Sequence, residues 1–204
     1  HTITGLGTIT GQSSNSKAIM ISGQLNDLTI KNLTIKNFKN GIESHNTNGL
    51  TITGVTMSDI GGYGIYSYGG DALKIESNSI SHLNTELISQ QGIFLVGHNA
   101  YWGQGNGSCT GTGQYVNSSQ DGPIVIKNNI ISSTSGAGSG MTIEGSKYCI
   151  DGNTISNMKQ GIHIAATSFN GGATPTAHTI SNNMISGSSQ KGISIVSNNI
   201  SLLP

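Results

Sequence analysis

The sequence predicts an all-β protein: a right-handed parallel β-helix solenoid of about seven coils, with three short strands in each. Three observations carry this. A phrase of Gly or Ala, then Ile or Met, then one variable residue and Ile, Leu or Ser, recurs seven times along the 204 residues. Apolar and polar residues alternate over runs too short for helices. A second phrase, Ile-x-x-Asn-x-Ile, recurs in a register of its own.

The first phrase reads Ala18-Ile19-Met20-Ile21, Gly41-Ile42-Glu43-Ser44, Gly64-Ile65-Tyr66-Ser67, Gly92-Ile93-Phe94-Leu95, Gly140-Met141-Thr142-Ile143, Gly161-Ile162-His163-Ile164 and Gly192-Ile193-Ser194-Ile195. Neighbouring phrases lie 21 to 31 residues apart, except for one gap of 48. A short base period with variable insertions marks stacked coils whose extra residues bulge out as loops. Two further apolar pairs follow each phrase. After Gly140 the three sets are Met141/Ile143, Tyr148/Ile150 and Ile155/Met158; after Gly64 they are Ile65, Leu73/Ile75 and Ile80/Leu83. Each set is a strand with one buried face, and Gly, Asn and Ser between the sets supply the bends. Coils pairing about 4.8 Å apart would make a rod on the order of 35 Å long.

The second phrase places Asn78, Asn129, Asn153 and Asn183 at one corner of four coils. Asn suits a left-handed corner, and stacked amides would form a ladder that satisfies buried polar groups. Leu33 and Val55 hold the matching positions earlier, so the ladder is expected to begin at Asn78. This set reads as structural.

These phrases resemble the right-handed parallel β-helix superfamily that includes pectate lyases, polygalacturonases, alginate epimerases and phage tailspikes. The resemblance spans roughly Thr2 to Ile200 and is to the fold, with no specific member. Similar folds carry out lyase, hydrolase and epimerase reactions or serve as structural shafts, so architecture alone leaves the reaction open. One domain, 1–204, is expected, with a long inserted loop over 97–122. His1 opens inside a strand-like pattern and Pro204 closes abruptly, which reads as a portion of a larger extracellular protein. End-to-end association, or the homotrimers that tailspike-like relatives imply, would cover the ends.

Only 9% of residues are charged and the formal net charge is zero. No basic patch supports nucleic-acid binding. No apolar run is long enough for a membrane-spanning helix. A neutral surface rich in hydroxyls and amides suits an extracellular, cell-surface or virion-surface protein that handles sugars. Cys149 lies between inward Tyr148 and Ile150 and is expected to point outward, where a disulfide to Cys109 would pin the long loop to the rod in an oxidising compartment. The histidines lack ligand spacing and Asp-rich calcium loops are missing, so neither metal nor cofactor is expected.

Strand alternation also predicts what faces solvent. The phrase presents Met20, Glu43, Tyr66, Phe94, Thr142, His163 and Ser194 in one outward column, and Ser22, His45, Tyr68, Val96, Glu144, Ala165 and Val196 in another. Tyr63 leads into this wall, and the 97–122 loop leaves it carrying Tyr101 and the sole tryptophan, Trp102. Aromatic rings offer apolar faces to the CH-bearing face of a sugar, and their polar tips bond hydroxyls. The expected ligand is therefore a polysaccharide, bound by Tyr63, Phe94, Tyr101, Trp102, Glu144 and His163 around Tyr66 and Tyr68.

Three chemistries follow. Glycoside hydrolysis needs two carboxyl groups about 5 to 9.5 Å apart. Glu43 and Glu144 stand three coils apart, about 14 Å by strand spacing, which disfavours it; Asp71 and Asp121 on flanking loops are the remaining candidates. Elimination or epimerisation of a uronic acid needs a base and an acid, roles open to Tyr66, Tyr68, His45 and Glu43. The resemblance does not carry a mechanism over. The chain has no arginine, all nine basic residues being lysines, and no Asp-Pro-His run. The third alternative is a structural shaft of an adhesin or phage fibre, in which the same side chains only stabilise a surface ladder.

Overall fold

The computed structural model describes residues 1–5, 7–11, 16–23, 25–70, 72–82, 90–98, 124–136, 138–145, 148–166 and 178–197. They form three seven-stranded sheets, and every strand pairs in parallel with its counterparts one coil away. The first sheet runs from Thr2–Thr4 through Thr29–Lys31, Thr51–Thr53, Lys74–Glu76, Ile124–Lys127 and Tyr148–Asp151 to Thr179–Ser181. The second runs from Thr8–Thr10 through Thr34–Phe38, Thr56–Ile60, Ser79–His82, Ile130–Ser133 and Thr154–Ser156 to Met184–Ser186. The third holds the recurring phrases, from Lys17–Ser22 through Asn40–His45, Tyr63–Tyr68, Gln91–His98, Ser139–Gly145 and Gln160–Ala166 to Lys191–Ser197. The chain thus winds through one strand of each sheet per coil, as the period requires.

The core is a set of aliphatic stacks. Ile30, Ile52, Ile75, Ile126 and Ile150 lie fully buried in register along the first sheet. Ile35, Met57, Ile80, Ile131 and Ile155 do the same along the second. Burying such a side chain contributes about 1.5–3 kcal/mol, so repetition supplies the cohesion of the rod. In the inner coils the phrase begins with glycine because there is no room for anything larger. A Cβ on Gly41, Gly64, Gly92 or Gly140 would lie 2.6, 2.6, 2.5 or 2.7 Å from the carbonyl oxygen of the next glycine in the stack.

The amide ladder joins the first sheet to the second. Asn78 donates from Nδ2 to Asn129 Oδ1, Asn129 to Asn153 Oδ1, and Asn153 to Asn183 Oδ1, over 2.9–3.0 Å. Each Nδ2 also reaches a backbone carbonyl of the preceding coil: Ile52 for Asn78, Ile75 for Asn129, Ile126 for Asn153 and Ile150 for Asn183. The first rung accepts from the backbone N–H of Val55. One expectation is corrected here. The ladder residues do not occupy the left-handed corner; the residue before each does, with positive φ at Ser77, Asn128, Gly152 and Asn182. The corner residue turns the chain, which frees the next side chain to point inward and bond.

Candidate functional site

The outward columns of the third sheet fall in the expected register. Met20 pairs with Glu43, Glu43 with Tyr66, Tyr66 with Phe94, Phe94 with Thr142, Thr142 with His163, and His163 with Ser194. His45 pairs with Tyr68 and Tyr68 with Val96, after which the register shifts before His98. A third outward column, one residue before each glycine, had not been separated out in the sequence; it includes Lys17, Asn40, Tyr63 and Gln91. The outward position just ahead of the phrase was the signal that could have found it.

These columns bring the aromatic residues together. Tyr63 stacks on Tyr66 with ring centroids 5.3 Å apart and on Phe94 at 5.5 Å, and Tyr66 meets Phe94 at 5.4 Å. The rings therefore turn faces toward one another, correcting the expectation of open flat faces along the wall. Tyr68 is the most open member, 39% exposed, whereas Tyr63, Tyr66 and Phe94 are half-buried. His45 bridges to the polar side of the patch, edge-on to Tyr66 at 5.7 Å and tilted against Tyr68 at 6.2 Å.

Glu43 departs from expectation. It lies on the outward column yet is only 6% exposed. Three donors cover it: Lys17 Nζ at 2.6 Å and His45 Nε2 at 3.0 Å, both on Oε1, and Asn40 Nδ2 at 3.1 Å on Oε2. Burial alone would raise the pKa of this carboxyl, but the hydrogen bonds from Lys17, His45 and Asn40, with the Lys17 charge, hold it below the ordinary value. An ionised carboxylate only accepts, so His45 Nε2 is the donor in this contact. Asn40 also accepts the Tyr63 backbone N–H on Oδ1 at 3.2 Å, tying the carboxylate to the aromatic cluster. Burial, then the charge of Glu43, raises the pKa of Tyr66, which stays a neutral hydroxyl donor.

The other candidates are more dispersed. Glu144 stands further along the wall, its pKa raised by burial and partly offset by His163. His163 is half-buried, with Nδ1 lacking a hydrogen-bond partner. Tyr101, Trp102, Cys109, Asp71 and Asp121 lie outside the described residues, as does residue range 99–122 of the expected loop. Cys149 was expected to point outward into a disulfide that pins a loop to the rod. It is fully buried and disulfide-bonded, and its outward neighbour Val125 is buried as well. Two neighbouring outward positions so enclosed mark a covered wall on the first sheet. Among the described residues, no three His, Cys, Asp or Glu side chains come together in a way that could hold a metal ion.

Sequence reasoning passed over one buried group, His82. In the second sheet it takes the inward position held by Ile60 one coil earlier and by Ser133 one coil later. Nδ1 meets the Ile60 carbonyl at 3.1 Å while Nε2 has no partner, and burial lowers its pKa to about 4. The signal was available, since the position belongs to an otherwise readable core column.

The family model described as the right-handed β-helix region matches residues 12–203. The chain belongs to the right-handed β-helix family. No curated protein and no solved structure matches it. The third sheet of the β-helix carries the candidate site, and the glycine stack lies within its strands.

Proposed function

We propose that this β-helix recognises a polysaccharide along the third-sheet wall, centred on Tyr66, Tyr68 and Phe94. The observation that carries the reading is the clustering of Tyr63, Tyr66, Tyr68, Phe94 and His45 from three successive coils on one outward face. Ring edges supply apolar contact, while tyrosine hydroxyls and the His45 imidazole supply polar groups for sugar hydroxyls. The wall runs along the rod, which suits a chain ligand occupying several coils. An oxidising extracellular setting is in keeping with the Cys149 disulfide.

A second reading, proton transfer on a uronic acid by elimination or epimerisation, draws on one specific feature. Glu43 holds His45 through Nε2, and the imidazole packs edge-on against the Tyr66 ring, which brings a candidate base and a candidate acid side by side. Against it, Lys17, the lysine of the described residues on the wall beside the cluster, is already engaged with Glu43. Recognition is therefore the stronger reading, and chemistry the weaker.

The test is affinity electrophoresis of the protein and its Tyr68→Ala variant through gels containing neutral and acidic polysaccharides, with mass spectrometry of the incubated chains. Retardation that the variant loses, with chains intact, is the expected result. Unsaturated fragments would move the conclusion to a lyase and to His45 and Tyr66. Retardation of neither protein by any chain would leave a structural shaft.

A further inference from the structure

His82 ends the Ser79–His82 strand with its side chain inside the rod, 3% exposed, in the column that runs from Phe38 through Ile60 to Ser133. A carbonyl oxygen only accepts, so Nδ1 donates to the Ile60 carbonyl at 3.1 Å, and Nε2 is buried without a partner. Ile60 is where the second sheet turns into the wall. Its carbonyl leads into Gly61, Gly62 and Tyr63, the first ring of the aromatic cluster. Three backbone bonds hold that corner: Gly61 N–H to Phe38 O at 3.0 Å, Gly62 N–H to Lys39 O at 2.7 Å, and Gln91 N–H to Gly62 O at 3.0 Å. Tyr63 N–H then bonds Asn40 Oδ1, and Asn40 Nδ2 bonds Glu43, so the corner joins His82 to both the rings and the buried carboxylate. Beside His82 the strand pairing also shifts register, with Asp59 at a φ of 59°, the mark of a β-bulge.

Resting on the glycan reading, we infer that His82 is a positioning residue for the wall: its neutral ring keeps the Ile60–Tyr63 corner closed, and its protonation in acid opens the corner and weakens glycan binding. A second proton would go to Nε2 and place a cation in the core without an acceptor, a cost relieved only when the ring reaches water. Burial accordingly lowers the pKa to about 4, opposed by the Ile60 bond. The titratable groups on the strands packed against it are Asp59 on Thr56–Ile60, the tyrosines of Tyr63–Tyr68 and His98 on Gln91–His98, while Ile130–Ser133 carries none. The tyrosines lie in the outward columns, Asp59 is half-exposed at the bulge, and His98 closes the far end of its strand. A closed corner takes up the proton near pH 4 and an opened one near the ordinary 6.5. Opening is therefore unaffected above pH 6.5 and grows as pH falls toward 4.

Native-state hydrogen exchange at the Gly61, Gly62, Tyr63 and Gln91 amides reads the corner itself. After correction for intrinsic exchange, their opening constant is expected to rise about 20-fold between pH 7 and pH 5 in wild type and to stay flat in His82→Leu. His82→Ser, which takes the residue of the next coil, serves if the leucine variant does not fold. Hydroxyethyl cellulose and polygalacturonate, a neutral and an acidic chain, are then added at about ten times the dissociation constant of whichever binds. Bound chain should suppress the opening at pH 5 by about 10-fold. An equal acid-driven rise in wild type and variants would overturn the role of His82. Opening that bound chain leaves unchanged would overturn its coupling to the wall, with glycan recognition still standing. Binding of neither chain, nor of any in the wider panel, would overturn the glycan reading and the positioning role with it, whatever the exchange shows.

Discussion

The amide ladder and the aromatic wall are built on the same coils and obey the same register, yet they use repetition in opposite ways. In the ladder, Asn129 bonds to Asn78 and Asn153, its own counterparts one coil away on either side, and every rung makes the same contacts. On the wall, Glu43 is followed by Tyr66, Phe94, Thr142 and His163, and no two neighbours in the column are alike. Identity along a column is what stacking wants, because one residue type satisfies itself indefinitely. Variation along a column forgoes that cohesion, and a ligand with different groups at different points is a reason to do so.

The comparison can be broken most forcefully at the ladder. Asn129→Ala would strand the buried N–H of Asn78 and the carbonyl of Ile75. Urea unfolding should show a loss of about 2–5 kcal/mol. At the ladder's last rung, Asn183→Ala should cost about 1 kcal/mol, since that amide is partly exposed. Equal losses at the two positions would show that the ladder does not act through buried rungs.

His82 gives the next largest effect, and it depends on pH. Its folded pKa of about 4 lies below the ordinary 6.5, so the neutral form is the one the fold accepts. Stability is full above pH 6.5 and falls as pH drops toward 4, by about 3 kcal/mol in all. Glu43 and Asp151 also lose stability on acidification, because their pKa values are lowered and their protonation is opposed by the fold. The difference between wild type and His82→Leu, followed as Tm against pH, isolates the histidine. Parallel curves would mean that His82 protonates in the folded state without penalty.

Gly92→Ala should cost about 1–3 kcal/mol by thermal unfolding, because its Cβ would meet the Gly140 carbonyl oxygen at 2.5 Å. The smallest change in stability belongs to the wall. Tyr68→Ala, at the most open ring, should alter unfolding by less than about 1 kcal/mol while glycan retention falls. A large loss of stability there would reassign the aromatic cluster to the same structural role as the ladder.

Much of this was legible in residue order. The glycine phrase marked the third sheet, and the outward column through Glu43, Tyr66 and Phe94 was read in its correct register. Ile-x-x-Asn-x-Ile marked the ladder down to its first rung. Misreadings arose where a neighbour from another coil decides the outcome. Glu43 was placed on the outward face, but Lys17, 26 residues away, reaches over it. The aromatic rings were expected to show their faces, and instead Tyr63 and Tyr66 stack on each other and meet Phe94 one coil along.

Coil period, strand number, side-chain direction and the self-pairing asparagines were therefore determined by the order of residues, because each depends on alternation and on identical neighbours one period away. Burial of Glu43, the proton position on His45, the orphaned nitrogen of His82 and the orientation of the tyrosine rings were decided only by tertiary structure. Each of these depends on distances between unlike side chains, many of them on different coils, and a periodic pattern carries no information about such contacts until the coils are stacked.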